Sequence, residues 1–81
     1  MDNRVSVISI IIKEDEAAGA VNALLHEYRR YIVGRMGIPY RERGVSIISV
    51  VLDAPGDATS SLSGRLGMLD GVSAKTLTAR L

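Results

Sequence analysis

The sequence predicts an α+β fold, a ferredoxin-like β-α-β-β-α-β sandwich whose four antiparallel strands carry two helices on one face. Three observations lead there. Two runs rich in β-branched residues, 5–12 and 45–52, are apolar on both faces, as in strands buried on two sides. Two segments opening near residues 16 and 58 change to helical apolar spacing. Two weaker strand patterns, 31–38 and 73–79, complete the order. Right-handed crossovers then give the spatial order 4-1-3-2, and the two doubly apolar strands fall at its centre.

In the first strand Val5, Val7 and Ile11 lie on one face and Ile8, Ile10 and Ile12 on the other. Lys13, Glu14, Asp15 and Glu16 form a polar connection. Asp15 is the expected N-cap there, and Glu14 and Glu16 suit the positive end of a helix. The first helix is expected over residues 16–30, with Ala17, Val21, Leu24, Leu25 and Tyr28 as its inner stripe. Residues 31–38 favour a strand that Gly34 and Gly37 weaken, and a bent or bulged strand accommodates both. Pro39 has no N–H for a ladder and belongs at an edge or a strand end. Tyr40 to Gly44 reads as a polar hairpin loop closed by glycine. The third strand sets Val45, Ile47 and Val51 against Ile48, Val50 and Leu52. A turn at 53–57 offers Asp57 as N-cap of a second helix, roughly 58–66, with Leu62, Leu66 and Leu69 inward. Gly64 inside it costs about 1 kcal/mol relative to Ala, for which a close helix–sheet contact is one reason. Gly67 is the expected C′ residue. The last strand is weak and edge-like.

Eighty-one residues make one small domain, 1–81, and a chain this short buries only about 60–65% of its unfolded surface. It has no cysteine, so neither disulfides nor a thiolate metal site can brace it. Two helices cover one sheet face, so the aliphatic residues of the other would lie bare in a monomer. A bare aliphatic face reads as an interface, and a homodimer or homotetramer packed through sheet faces or edges is expected. The net charge of +1 is too small for a global nucleic-acid or membrane field. The longest apolar run, 5–12, is too short to span a bilayer, and the chain enters it without a signal peptide. A soluble cytoplasmic protein with no membrane partner is expected.

Residues 34–44 are not explained by core building. They hold three of the eight glycines, one of the two prolines and one of the three tyrosines. Arg29, Arg30, Arg35, Arg41 and Arg43 lie close together in the sequence, opposed there only by Glu42. Arginine forks suit carboxylate and phosphate groups. Arg35, Arg41 and Arg43, with Gly37, Pro39 and Tyr40, therefore form a candidate site for a small anionic ligand or an acidic protein partner. The alternative is a solvated face that keeps an edge strand from pairing with strangers. His26 reads either as a helix histidine at the margin of the core or an interface, or as a ligand to a metal or anion completed by a neighbouring subunit. The catalytic inventory is thin: one histidine, no cysteine, and no phosphate-loop glycine pattern. The one close carboxylate group, Glu14, Asp15 and Glu16, is accounted for by the helix start. No enzyme, no cofactor and no metal site is expected. Nucleic-acid binding through the arginine face is poorly supported, because only Tyr40 accompanies the charges as a stacking platform.

The segments Val21 to Tyr28, Gly34 to Glu42 and Leu62 to Thr76 resemble the small regulators associated with iron-only hydrogenase systems. The resemblance spans nearly the whole chain and rests on a Leu-Leu-His motif, a Gly-Arg-x-Gly-x-Pro motif and a Leu-Ser-Gly-x-Leu-Gly motif. It implies an ACT-like ferredoxin fold and a regulatory rather than catalytic role. That family is similar in architecture to the C-terminal, metal-sensing domain of nickel-responsive repressors, which use three histidines and a cysteine. One of those ligand positions falls on His26 and the others on Gly37, Pro39 and Val45, so the comparison implies no nickel site of that type. It also implies no direct DNA binding through the repressors' N-terminal ribbon-helix-helix, which has no counterpart before the strand that opens by residue 5.

Overall fold

A computed structural model describes residues 2–79. The two β-branched runs form β1 (Asn3–Ile12) and β3 (Val45–Pro55), which pair antiparallel along their whole length. β2 (Ile32–Tyr40) pairs with the outer side of β3, and β4 (Val72–Thr78) with the outer side of β1. The order β2-β3-β1-β4 is the predicted one read from the opposite edge. Two helices, α1 (Ala18–Glu27) and α2 (Gly56–Gly67), lie over one face, and short 3-10 turns at Asp15–Ala17, Arg29–Tyr31 and Arg41–Arg43 join the elements.

The core lies between the helices and that face. Ile8, Ile10 and Ile12 of β1 and Ile48, Val50, Leu52 and Ala54 of β3 are buried against Val21, Leu24 and Leu25 of α1 and Leu62 and Leu66 of α2. The alternate residues of the same strands face away from the helices. Register aligns them in rows across the sheet: Leu77, Val7 and Val51 form one, and Ser73, Ile11, Ile47 and Ile38 another. Between these runs a more polar row of Lys75, Ser9, Ser49 and Met36. Leu77 is 74% exposed, Met36 61%, Ile38 48% and Ile11 41%, so this second face is open.

Several expectations about element ends are corrected. α1 stops at Glu27 rather than near residue 30: Tyr28 leaves helical geometry at φ −101, ψ 13, and the chain tightens into a 3-10 turn before Ile32. Asp15 caps nothing; it opens the first 3-10 turn, and no side chain caps α1. β3 runs through residues 53–55, because the longer β1 supplies Asn3, Arg4 and Val5 as partners for Pro55, Ala54 and Asp53. α2 therefore starts at Gly56 with Pro55 as N-cap. Asp57 sits inside its first turn, where Oδ1 accepts the Ala58 N–H at 3.0 Å. Gly67 remains within the helix, and the glycines that need a left-handed conformation are Gly44 (φ 66) and Gly71 (φ 76). A Cβ on Gly64 would meet open space, so no close helix–sheet approach explains that glycine.

Candidate functional site

β2 carries the extra residue that the two glycines foreshadowed. Ile32 pairs with Leu52 and Gly34 with Val51, so Val33 is a bulge. Strand side chains alternate between faces, and Ile32 and Arg35, three apart, would fall on opposite sides of a regular strand. The bulge restores the parity. Ile32 then packs toward the core opposite Leu52, and Arg35, opposite Val50, joins it on the helix side. There Arg35 Nη2 donates to Asn22 Oδ1 of α1 at 2.7 Å.

This contact closes one end of a cleft of about 290 Å³ between α1 and the β2–β3 hairpin. Ala18 and Asn22 form its helix wall, with Arg35, Gly37 and Pro39 along β2 and Ser46 across on β3. No carboxylate lines it, and Arg35 is its one charged residue. Asn22 engages the guanidinium without neutralising it, so the cleft offers a positive fork beside apolar walls, an arrangement suited to a small carboxylate or phosphate group. A Cβ on Gly37 would meet Ile47 O and Ile48 Cγ1 only at 4.0 Å. Glycine there keeps the cleft floor clear rather than relieving a clash.

The remaining candidate residues lie elsewhere. Tyr40 stands opposite Val45, on the open face. Arg41 and Arg43 occupy the exposed 3-10 turn at the hairpin tip, closed by the Gly44 N–H donating to Arg41 O at 3.1 Å. His26 is exposed on α1, one turn beyond Asn22, and its carbonyl accepts from Arg29 Nη1 at 2.9 Å. One chain thus gathers Arg35, Gly37 and Pro39 in the cleft and leaves Tyr40, Arg41, Arg43 and His26 outside it. A roomier concavity of about 730 Å³ at the β1–α1 connection is lined by Glu14, Asp15, Glu16 and Asp70 with Lys13; its carboxylates would repel the anion that Arg35 suits. Among the described residues no three His, Cys, Asp or Glu gather as a metal-binding group, and no helix is long and apolar enough to cross a membrane.

The arginine that sequence reasoning passed over is Arg65. From α2 it pairs with Glu27 of α1, donates to Tyr28 Oη at 3.2 Å, and lies 5.8 Å from the centre of the Tyr28 ring. Tyr28 Oη also shares a 2.9 Å hydrogen bond with Ser61 Oγ. The Arg65 hydrogen bond holds the Glu27 carboxyl below its ordinary pKa. The Ser61 and Arg65 hydrogen bonds likewise lower that of Tyr28. Glu27 and Arg65 are 38 positions apart, so no local spacing signalled the pair. The sequence reading followed clustered arginines and missed an isolated one.

The family model described as "Iron-only hydrogenase system regulator, putative", the TM1266-like family, matches residues 4–76. Among solved structures, the uncharacterized protein TM1266 from Thermotoga maritima superposes with a TM-score of 0.94 at 35% identity, covering 98% of this chain and 100% of that one. A formyltetrahydrofolate deformylase from Pseudomonas putida KT2440 superposes with a TM-score of 0.66 at 20% identity, over 94% of this chain but 29% of the enzyme. This second likeness shows the ACT-like fold alone. No curated protein matches the sequence.

Proposed function

The chain belongs to the TM1266-like family of iron-only hydrogenase system regulators, and from that premise we propose a non-catalytic, cytoplasmic regulatory module that works as a homo-oligomer packed through its open sheet face and reads a small anionic ligand in the Arg35 cleft. The observation that carries the assembly is the banding of that face, where Ile11, Ile47 and Ile38 align on one side of the Ser9–Ser49 row and Val7, Val51 and Leu77 on the other. A second copy presents the same bands, so a twofold arrangement meets apolar row with apolar row, as an isologous interface requires. Four strands about 4.8 Å apart, rising about 3.4 Å per residue, give this face on the order of 500 Å² of flat area, the same order as the ~800 Å² of accessible surface per partner that a stable interface buries.

The ligand half of the reading is supported by a guanidinium that faces no carboxylate in a partly apolar cleft. The non-catalytic half is supported by a sequence with one histidine and no cysteine. A second reading, docking of an acidic protein partner, is favoured by Arg41 and Arg43 standing together at the exposed hairpin tip. Sedimentation velocity tests the assembly: the wild-type chain should sediment well above 8.7 kDa, and Ile47→Lys should return it to the monomer with its circular dichroism unchanged. A wild-type protein that stays monomeric at micromolar concentration overturns the proposal. Loss of partner capture in an Arg41→Ala/Arg43→Ala double variant, with the oligomer intact, would favour the second reading.

A further inference from the structure

A second groove, of about 350 Å³, runs between α2 and the edge strand β4 over the start of β1. Its position follows from register. Ser6 pairs with Thr78 and Ile8 with Thr76, which sets Ser6, Thr76 and Thr78 on the helix side of the sheet, beside the aliphatic core. α2 answers with Thr59, Ser60 and Ser63. Six hydroxyls therefore line one groove, which is closed at one end by the first residue of α2, Gly56, and by Arg4. Among the described residues no carboxylate lines it, and Arg4 makes no ion pair or side-chain hydrogen bond.

Most of these hydroxyls are held in place. Ser6, 1% exposed, shares a 2.9 Å hydrogen bond with Thr78 Oγ1, and Thr76 Oγ1 donates to Ser63 Oγ at 2.9 Å. Ser60 is exposed to solvent, and Thr59 is the buried exception. It is 4% exposed and lines the groove, yet its Oγ1 has no partner. A buried hydroxyl without a partner is costly and calls for an explanation. Beside it, the N-terminus of α2 has no side-chain cap at Pro55, and Asp57 turns its carboxylate back onto the Ala58 N–H. The positive end of a helix, the Arg4 guanidinium and a buried hydroxyl without a partner border one groove.

We infer that this groove is a binding site for a small tetrahedral oxyanion, a phosphate group in the first instance, with Arg4 and the α2 N-terminus supplying charge and Thr59 Oγ1 a hydrogen bond. It stands independently of the Arg35 cleft and of the assembly. Inorganic phosphate is the probe, titrated into the labelled wild-type protein with its amide resonances followed by NMR. The expected result is saturable shifts at residues 56–60 and 76–78, displaced by sulfate and not by acetate. Thr59→Val, which keeps shape and removes the hydroxyl, should weaken phosphate about tenfold while folding as well as or better than the wild type. Arg4→Gln, at an exposed position that cannot compromise the core, should weaken it at least as much. Arg35→Gln should leave the titration unchanged. Absence of shifts in this region, shifts confined to the arginine-rich residues 29–43, equal competition by acetate, or undiminished binding in both Thr59→Val and Arg4→Gln would overturn the inference.

Discussion

The two faces of the sheet are built from the same strands and nearly the same residues, yet they meet different fates. On the helix side Ile8 and Ile10 are fully buried; on the other side of β1, Ile11 keeps 41% of its surface exposed. β3 repeats the contrast, with Val50 and Leu52 fully buried and Val45, Ile47 and Val51 half-buried on the open side. Folding of one chain explains only the first set. A strand whose second face served only as a solvated surface would alternate apolar with polar residues, as one-sided antiparallel strands do. β1 and β3 instead place aliphatics on both sides, and that surplus is what the proposed assembly would cover.

The largest effect that separates the faces is a pair of truncations one residue apart. Ile10→Ala removes three carbons from a fully buried position and should cost about 2–5 kcal/mol, read as a lowered urea midpoint at every protein concentration. Ile11→Ala should cost on the order of 1 kcal/mol in a dilute monomer. The wild-type midpoint should rise with concentration, as mass action requires of an oligomer, and Ile11→Ala should abolish most of that rise. A concentration-independent wild type would break the comparison, since the open face would then contribute nothing beyond the monomer.

That contrast was largely legible in the sequence, because parity within a strand is a local property. Once β1 and β3 were recognised, the faces followed from counting by twos, and the strand order, set by the element succession and right-handed crossovers, placed the two doubly apolar strands at its centre. The candidate site was less legible for the opposite reason. Gly34 and Gly37 signalled an irregular β2, but which side Arg35 would occupy depended on whether the extra residue fell before or after it. Composition does not fix that. Arg41, Arg43 and Tyr40 are neighbours of Arg35 in sequence, and strand alternation with the hairpin turn scatters them over the open face and the tip. The hydroxyl groove was invisible, because Ser6, Thr59 and Thr76 meet only through the pairing of β1 with β4 and the packing of α2.

Next in size come two glycines bordering the covered layer. Gly71 turns the chain into β4 at φ 76, and a Cβ there would lie 2.9 Å from Glu14 Cγ. The left-handed conformation alone costs a non-glycine residue about 1–2 kcal/mol, and the Glu14 side chain must shift as well, so Gly71→Ala should lower the thermal midpoint clearly. Gly64 has helical geometry and open space where its Cβ would be, so Gly64→Ala should stabilise by about 1 kcal/mol. Opposite signs from one chemical change would show that the helical layer covers its face without any backbone approach at Gly64. A destabilised Gly64→Ala would mean that this side of α2 is itself covered in the assembled protein.

The smallest effect concerns what holds the covering layer to itself. Arg65 and Glu27 join the two helices on their outer side, where water and salt screen the pair. The Arg65 hydrogen bond lowers the pKa of Glu27 in the folded chain, and the sign of the resulting pH dependence follows by linkage. The unfolded chain binds a proton at Glu27 more readily than the folded one. The pair's contribution is therefore complete above the ordinary glutamate pKa, and it is lost as pH falls through the lower, folded value. Thermal melts of the wild type and Glu27→Gln should differ slightly at neutral pH and converge in acid, and added salt should narrow the neutral gap. The same melts on Arg65→Met remove the partner instead, and should coincide with Glu27→Gln if the two side chains act only through each other. A larger loss in Arg65→Met would assign the excess to Tyr28, whose hydroxyl and ring Arg65 also meets, and would move the clasp from a surface ion pair to a packed contact between the helices.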